Sequence, residues 1–541
     1  MPQTAMPLAA LPLPPMKWDA WGDPALAKPL SEDIKGLLAA VLGVSGEVVA
    51  GPAADKVVLR PSTLADDDLK ALAAIVGASW LSTRDADRLP RSGGKSTPDL
   101  LRRKSREPQD APDAVVLPGS EEEIAAVLAL CAERRIAVVP FGGGTSVVGG
   151  VDPIRAGFTA VLSLDMRRFD QLLTLDEVSG EAVLGAGLAG PQAEALLAAR
   201  GYELGHYPQS FRFATIGGFA ATRSSGQDSA GYGRFDEMVR GLRVITPAGI
   251  LDLGRAPASA AGPDLRELFL GSEGVFGVIT AVRLRVHPLP AVREFEAWSF
   301  PDFATGAAAL RAVEQQGTGP TVIRLSDETE TAVNLAMTDQ IGGTQVTGGC
   351  LAVTVFEGDA EQVAARHALT RAALLAAGGT SLGEAPARAW EHGRFNAPYL
   401  RDALLAGGAL CETLETATGW AQLDGLKAAV SQTLQSALQD TGSASLVMCH
   451  ISHVYPTGAS LYFTVVAAQQ GEPIEQWAGV KHAVGDAIMA NGGTISHHHA
   501  VGADHRPWMD QEIGELGTRI LRAVKDAVDP AGILNPGKLI P

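Results

Sequence analysis

Cysteine is scarce in this sequence. Its 541 residues include four, Cys131, Cys350, Cys411 and Cys449, and no two stand in a CxxC spacing. That excludes a disulfide scaffold and a cysteine-based zinc site, and it predicts reduced thiols in a cytoplasmic protein. An excess of positive charge is also missing: 44 Lys and Arg against 61 Asp and Glu leave a formal charge of −17. Nucleic acids are held by clustered Lys and Arg, so none is expected as a partner. No apolar run approaches the ~18 residues of a membrane span, although contact with a lipid tail or membrane surface stays open. The opening MPQTAMPLAALPLPPMK has no basic region and is broken by five prolines, which argues against a secretory signal. The Walker pattern GxxxxGK followed by Ser or Thr is absent, as is a strand-GxGxxG-helix fingerprint at the first glycine loop. A P-loop ATPase and a doubly wound dinucleotide domain are therefore disfavoured.

What is present describes a well-packed chain of two to four domains, with 46% hydrophobic and only 19% charged residues. Residues 26–78 show helical apolar spacing, and the polar, Pro/Gly-marked 80–110 reads as a linker or mobile loop. DAVVLP (113–118) predicts a strand. SEEEIAAVLALCAERR (120–135) predicts a helix, with Ser120 as N-cap and Glu123 completing a capping box. IAVVP (136–140) is the next strand, so the three make a βαβ unit. Strands are expected at 158–164 and 181–187, with a helix over 190–201, and the first half closes near residue 290. Beyond it, Ala/Leu helices mix with alternating strands such as CHISHVYPTGASLYFTVV, and the chain ends in an amphipathic helix with a Pro/Gly tail.

Glycine is abundant where it matters. AVVPFGGGTSVVGG (137–150) runs from a strand into Gly142, Gly143 and Gly144, followed by the hydroxyls of Thr145 and Ser146. Residues without a Cβ allow several N–H groups to converge on one anion, most often a phosphate. A surface hairpin loop is the alternative for one such stretch. Two more glycine stretches, TIGGFAATRSSG (215–226) and GSEGVFGVIT (271–280), imply a long ligand threaded past all three.

TISHHHAV places His497, His498 and His499 in succession. In an extended segment, 497 and 499 face one side and 498 the other. Imidazoles titrating near neutrality suit acid–base work. Polar packing and a metal are the alternatives, the latter with only Asp504 and His505 nearby as further ligands. Arg324 in VIRLSD stands between apolar residues, where a guanidinium needs an anion or a carboxylate such as Asp327. Tyr462 in GASLYFTVV is a core residue or a proton donor.

Nine ordered motifs carry a resemblance: PFGGGTSVVGG, YPQSFRFATIGGFAATRSSG, GSEGVFGVIT, VIRLSD, FEGD, YLRD, ETLET, YPTGASLYF and GGTISHHHAVG. They are similar to the flavin-binding proteins of the vanillyl-alcohol oxidase and p-cresol methylhydroxylase type, and within them to the alkylglycerone-phosphate synthase branch. The resemblance implies an α+β fold: a two-subdomain FAD-binding domain (107–288), a ferredoxin-like antiparallel-sheet cap (289–500), an N-terminal helical region with linker (1–106), and a C-terminal helical segment (501–541) returning to the FAD domain. It implies that Pro140, Phe141, Gly142, Gly143, Gly144, Thr145 and Ser146 wrap the diphosphate of FAD, and that Gln209, Ser210, Thr215, Gly217 and Gly218 continue along it. Thr222, Ser224, Ser225 and Gly226 would approach the flavin ring, and Glu273, Gly274, Gly277, Val278 and Ile279 would hold the adenine half and the ring's dimethylbenzene side. Tyr462, His497, His498, His499 and Arg324 would form the catalytic group. No His or Cys stands in the first glycine loop, so FAD is expected to be noncovalent.

Two reactions follow from the resemblance. One is ether-lipid synthesis at flavin N5, in which an acyl chain leaves and a fatty alcohol enters. The other is oxidation of a 2-hydroxy acid or other alcohol, with a histidine such as His450 taking the O–H proton. The sequence departs from the branch at CHISH, where His450 stands in place of an arginine expected at the substrate's phosphate, and at Ala503 in place of a lysine. Neutral imidazole lacks arginine's bidentate fork, so a phosphorylated head group is placed in doubt. A homodimer is implied by resemblance alone.

Overall fold

A computed structural model describes residues 16–48, 51–104, 108–337 and 349–541. Most of the proline-broken opening segment and the expected boundary at 106/107 lie outside the described residues. The first sheet holds β1 (Leu81–Ser82), β2 (Ala114–Val116), β3 (Ile136–Phe141) and β4 (Ala160–Asp165), in the order β1-β2-β4-β3. β2 and β3 each pair with β4 in parallel, so helix Glu121–Arg134 crosses over an intervening strand. Strands covered on both faces need continuous apolar runs, and β2 and most of β3 are buried throughout. At the helix start Ser120 Oγ accepts from the Glu123 N–H, while the Glu123 carboxylate accepts from the Gly119 N–H, one residue earlier than a capping box requires. The C-terminal tail docks on β3: Val138 N–H donates to Ile533 O, and Asn535 N–H donates to Val138 O.

A second, antiparallel sheet holds β5 (Leu172–Asp176), β6 (Glu181–Gly185), β8 (Val239–Thr246), β9 (Gly249–Leu253) and β10 (Val278–Arg285), in the order β5-β6-β10-β8-β9. The short β7 (Tyr202–Glu203) and β11 (His287–Pro288) pair with each other. The second half is one antiparallel sheet of β12 (Val292–Phe300), β13 (Val322–Ser326), β14 (Cys350–Gly358), β15 (Thr380–Gly383), β16 (Ala409–Gly419), β17 (Ser445–Tyr455) and β18 (Gly458–Ala468). Their order is β15-β12-β14-β13-β17-β18-β16. Period-two alternation divides this sheet. Ile323, Leu325, Cys449, Ile451, Leu461 and Phe463 pack into a core with the covering helices. Arg324, Ser326, His450 and Tyr462, their alternating neighbours, are left for the opposite face. No helix among the described residues is long and apolar enough to cross a membrane.

The polar stretch 80–110 is not a linker along most of its length. Arg88, Arg91, Lys95, Asp99 and Arg103 are buried. Lys95 Nζ donates to the carbonyls of Lys17, Trp18 and Ala20, and Arg103 to that of Trp18, which straps residues 17–20 to the body. Thr97 N–H reaches the Glu412 carboxylate on β16. Polarity read as solvent exposure is here satisfied internally. Asp165, fully buried at the end of β4, binds Arg91 from this stretch at 2.6 Å and also Arg167. Burial opposes its charge, but the two guanidiniums prevail and lower its pKa from 3.8 to about 2. The stabilisation is therefore complete above pH 3.8 and fades as pH falls through about 2. Asp165→Asn is expected to cost ~3–5 kcal/mol at neutral pH, read by thermal or urea unfolding, because it strands two guanidiniums. An unchanged midpoint contradicts this reading.

Candidate active site

A cavity of about 670 Å³ lies between the second-half sheet and the glycine loops. Of the residues expected to hold the cofactor, Pro140 to Ser146, Gln209, Ser210, Thr215, Gly217, Gly218, Thr222, Ser224, Ser225, Glu273, Gly274, Gly277, Val278 and Ile279 all line it. Gly226 does not. Its carbonyl meets His453 Nε2 at 2.9 Å and its N–H donates to Ser229, so it lies behind the wall.

The glycines answer a steric demand. A Cβ on Gly143 would sit 2.1 Å from the Phe213 carbonyl oxygen, and one on Gly142 2.3 Å from Thr215 Oγ1. The first loop thus presses on the segment 213–215, and Gly144 turns it at φ +65°. The main-chain N–H groups of Gly142 to Ser146 donate no hydrogen bond among the described residues. Gln209 Nε2 and Ser225 Oγ are buried on the same wall without a partner. Unpaired donors at such density call for a polyanionic, hydroxyl-bearing ligand, and the diphosphate and ribityl chain of FAD fit them. Glu273 is only partly as expected: it lines the cavity, but its carboxylate accepts from the N–H groups of Val501 and Gly502. Burial, opposed by those bonds, pushes its pKa up to about 7.

The catalytic candidates converge on the facing wall. His450 on β17 and Tyr462 on β18 are register partners, as are Tyr462 and Glu415 on β16. Tyr462 stacks on His450 with centroids 4.9 Å apart, stands 6.0 Å from His498 with the rings again near parallel, and meets His499 edge-on at 5.6 Å. Arg324 lines the same wall and pairs with Glu330 at 2.8 Å rather than with Asp327.

His497 departs from expectation. It does not line the cavity; its Nε2 meets the Tyr455 hydroxyl at 2.5 Å, and its Nδ1 meets His498 Nδ1 at 2.9 Å. His498 and His499 both line the cavity, so the expected strand-like alternation fails. The cause is Glu415, wholly buried, whose carboxylate accepts from the N–H groups of His497 (2.7 Å), His498 (3.0 Å) and His499 (2.8 Å) and from Ser496 Oγ (2.8 Å). Three successive N–H groups aimed at one carboxylate curl the segment. Burial raises the Glu415 pKa, but attraction to the rings of His498, His499 and His497 when they are protonated, together with these N–H donors, brings it well below the usual value. Burial drives the pKa of His498 and His499 below 6.5, with Glu415 pulling the other way, so both are neutral bases at pH 7. Burial lifts the Tyr462 phenol to about 12. His453, His497 and His498 have ring nitrogens within 4.8 Å of one another, close enough to share a cation, yet each is engaged in the hydrogen bonds just described.

Glu415 and Glu330 went unassigned in the sequence, because a single acid in an alternating strand or at a helix start carries no local signal. Nor did it show that helices Glu32–Leu42 and Ala397–Ala406 close one end of the cavity with Leu38, Leu42, Leu400 and Leu404. These face Leu446, Met448 and Val466, which continue the His450–Tyr462 face along β17 and β18.

The family described as FAD binding domain matches residues 112–254, and that described as FAD linked oxidases, C-terminal domain, matches 289–539. The alkyldihydroxyacetonephosphate synthase of Dictyostelium discoideum is 34% identical over 474 residues, 84% of this chain and 77% of that protein. The enzyme of the same name from Trypanosoma brucei brucei is 30% identical over 567 residues, covering 97% and 92%. A solved alkyldihydroxyacetonephosphate synthase structure superposes with a TM-score of 0.84 at 29% identity, covering 97% of this chain and 99% of that one. The nest of free N–H groups, the neutral imidazole–phenol wall and this likeness along the whole chain agree: the protein is an FAD-dependent enzyme and belongs to the FAD-linked oxidase family that includes the alkyldihydroxyacetonephosphate synthases.

Proposed function

We propose that the enzyme works as an alkyldihydroxyacetonephosphate synthase-type catalyst, exchanging the acyl chain of a lipid-linked head group for a fatty alcohol. The supporting observation is the continuity of one cavity. Its glycine wall suits FAD, its centre holds Tyr462 and His498, and its far end is closed by Leu38, Leu42, Leu404, Met448 and Val466, which suits an alkyl chain. FAD, when bound, supplies an electron-accepting ring against which a substrate carbon can react. The chain's own residues do the rest. His498 and His499, neutral at pH 7, accept protons; Tyr462, protonated at pH 7, donates one. Ser225 and Gln209 orient the cofactor, and the apolar end excludes water from the reacting centre. The first glycine loop has no His or Cys, and buried Cys411 lies among the apolar residues with its thiol pushed to about 12, so FAD is held without a covalent tether.

The direct test is anaerobic. Adding an acyl-dihydroxyacetone, phosphorylated or not, together with a fatty alcohol is expected to yield ether product with the flavin absorbance unbleached. Bleaching by a hydroxy acid or simple alcohol, with no ether formed, overturns the reading in favour of net oxidation. Tyr462→Phe and His498→Ala are expected to lose ~10²–10⁴-fold in turnover while retaining FAD. Gly143→Val is expected to purify colourless, since its side chain meets the Phe213 carbonyl. Equal activity in all three variants contradicts the site assignment.

The pH dependence follows from the signs. His498 and His499 have pKa values lowered from 6.5, so the proton-accepting forms persist below that pH, and Tyr462, raised to about 12, stays protonated well into base. The kcat/KM profile is expected to be flat from about pH 6.5 to about pH 10, with its acid limb below the ordinary histidine value. A limb centred near pH 7 that persists in Glu273→Gln, which removes the cavity-lining carboxyl raised to about 7 that ties Val501 and Gly502, contradicts this assignment.

A further inference from the structure

Each guanidinium on the cavity wall has an acidic partner in the protein, although burial pushes the pKa of the Asp228 partner up to about 7. Among the described residues, three guanidiniums and no lysine line the cavity. Arg324 pairs with Glu330 at 2.8 Å, Arg394 with Asp228 at 3.1 Å and Arg401 with Asp402 at 3.0 Å. Arg394 also lies 4.9 Å from the Tyr207 ring and 5.1 Å from that of Phe395, and Arg401 donates to the Lys95 carbonyl.

Glu330 is the centre of the head-group end. Its Oε1 accepts from Arg324 at 2.8 Å and from Ser326 Oγ at 3.0 Å, and its Oε2 meets His450 Nδ1 at 2.8 Å. Burial raises the Glu330 pKa, but the hydrogen bonds from His450 and Ser326 and the neighbouring Arg324 guanidinium outweigh it and hold the group below its usual value, so it is a carboxylate. A carboxylate only accepts, which places the imidazole hydrogen on Nδ1 and leaves the Nε2 lone pair free. Nε2 has no hydrogen bond among the described residues, and His450 lines the cavity beside Tyr462. Burial keeps the imidazole neutral, outweighing Glu330. Guanidinium, carboxylate and neutral imidazole together carry no net charge. Nor is there a nest here like that of Gly142 to Ser146, because this wall is built from strands whose N–H groups are largely spent in the sheet ladder.

Taking the proposed function as its basis, we infer that the subsite formed by Arg324, Glu330 and His450 takes an uncharged, hydroxyl-bearing head group in preference to a phosphate dianion, with His450 Nε2 accepting its O–H. A buried dianion would meet no uncompensated positive charge, whereas a hydroxyl finds an acceptor on His450 and donors on the remaining Arg324 N–H groups.

The experiment titrates the FAD-loaded enzyme with a 1-acyl-dihydroxyacetone and with its 3-phosphate, same acyl chain, following the flavin spectrum for Kd and ether formation for turnover. Tighter binding of the unphosphorylated ester by ~10-fold or more is expected. Equal or tighter binding of the phosphate, or binding of neither, overturns the inference. Turnover of neither, with the binding preference intact, overturns the proposed exchange reaction and leaves the inference standing. Glu330→Gln leaves Arg324 unopposed at nearly constant shape, so the preference is expected to move toward the phosphate ester by ~10-fold. FAD content reports that this variant is folded, and an unmoved preference in it counts against Glu330 as the selector.

Discussion

A single buried carboxylate sets the shape of the active-site wall. Glu415 projects from β16 and collects three consecutive main-chain N–H groups and a hydroxyl from residues 496–499. Three successive N–H groups turned onto one carboxylate are incompatible with an extended strand, and residues 496–499 form neither helix nor strand. Its downstream end is tied by a second carboxylate, Glu273, through Val501 and Gly502, with Ala500 between them at φ 72°. Because Glu415 is also the register neighbour of Tyr462, the sheet that carries the phenol carries the anchor of the imidazoles. Phenol and imidazoles are fixed relative to each other by covalent geometry and a handful of hydrogen bonds.

Charge is handled in two ways around the cavity. On the glycine wall, N–H groups unpaired among the described residues await an anion in a protein of net charge −17, and no Lys or Arg among those residues lines that wall. Partial charges spread over many amides neutralise a diphosphate without importing cations that would perturb nearby imidazoles. On the facing wall, each guanidinium is paired with an acidic side chain, Arg324 with Glu330, Arg394 with Asp228 and Arg401 with Asp402. Burial then leaves the histidines neutral and ready to accept protons. The arrangement keeps strong fields away from the reacting centre except where a carboxylate is tied down by donors.

Much of this was legible in the sequence, for identifiable reasons. Glycine clusters can be read because the need for a missing Cβ is local, and the loop 140–146 sits where its strand context placed it. The helix over 121–134 and the hairpin of β17 and β18 follow from periodicity. Tyr462 and His498 were singled out by family motif, since a phenol in an alternating strand is indistinguishable from core. The failures share a cause, which is partners distant in sequence. Residues 88–103 looked like a linker because their ion pairs and carbonyl contacts lie in other segments. His497 was grouped with the catalytic histidines by family motif, and the alternation expected of the triplet assumes an extended chain, which Glu415, 82 residues earlier, forbids. Glu330 stayed unassigned because His450 is 120 residues away.

The claim that Glu415 places the catalytic imidazoles is tested most directly by the crystal structure of FAD-loaded Glu415→Ala beside that of the unaltered enzyme. The account predicts FAD retained on the glycine wall, with residues 496–499 unwound and the rings of His498 and His499 displaced from Tyr462. An unmoved histidine segment in that variant would contradict it.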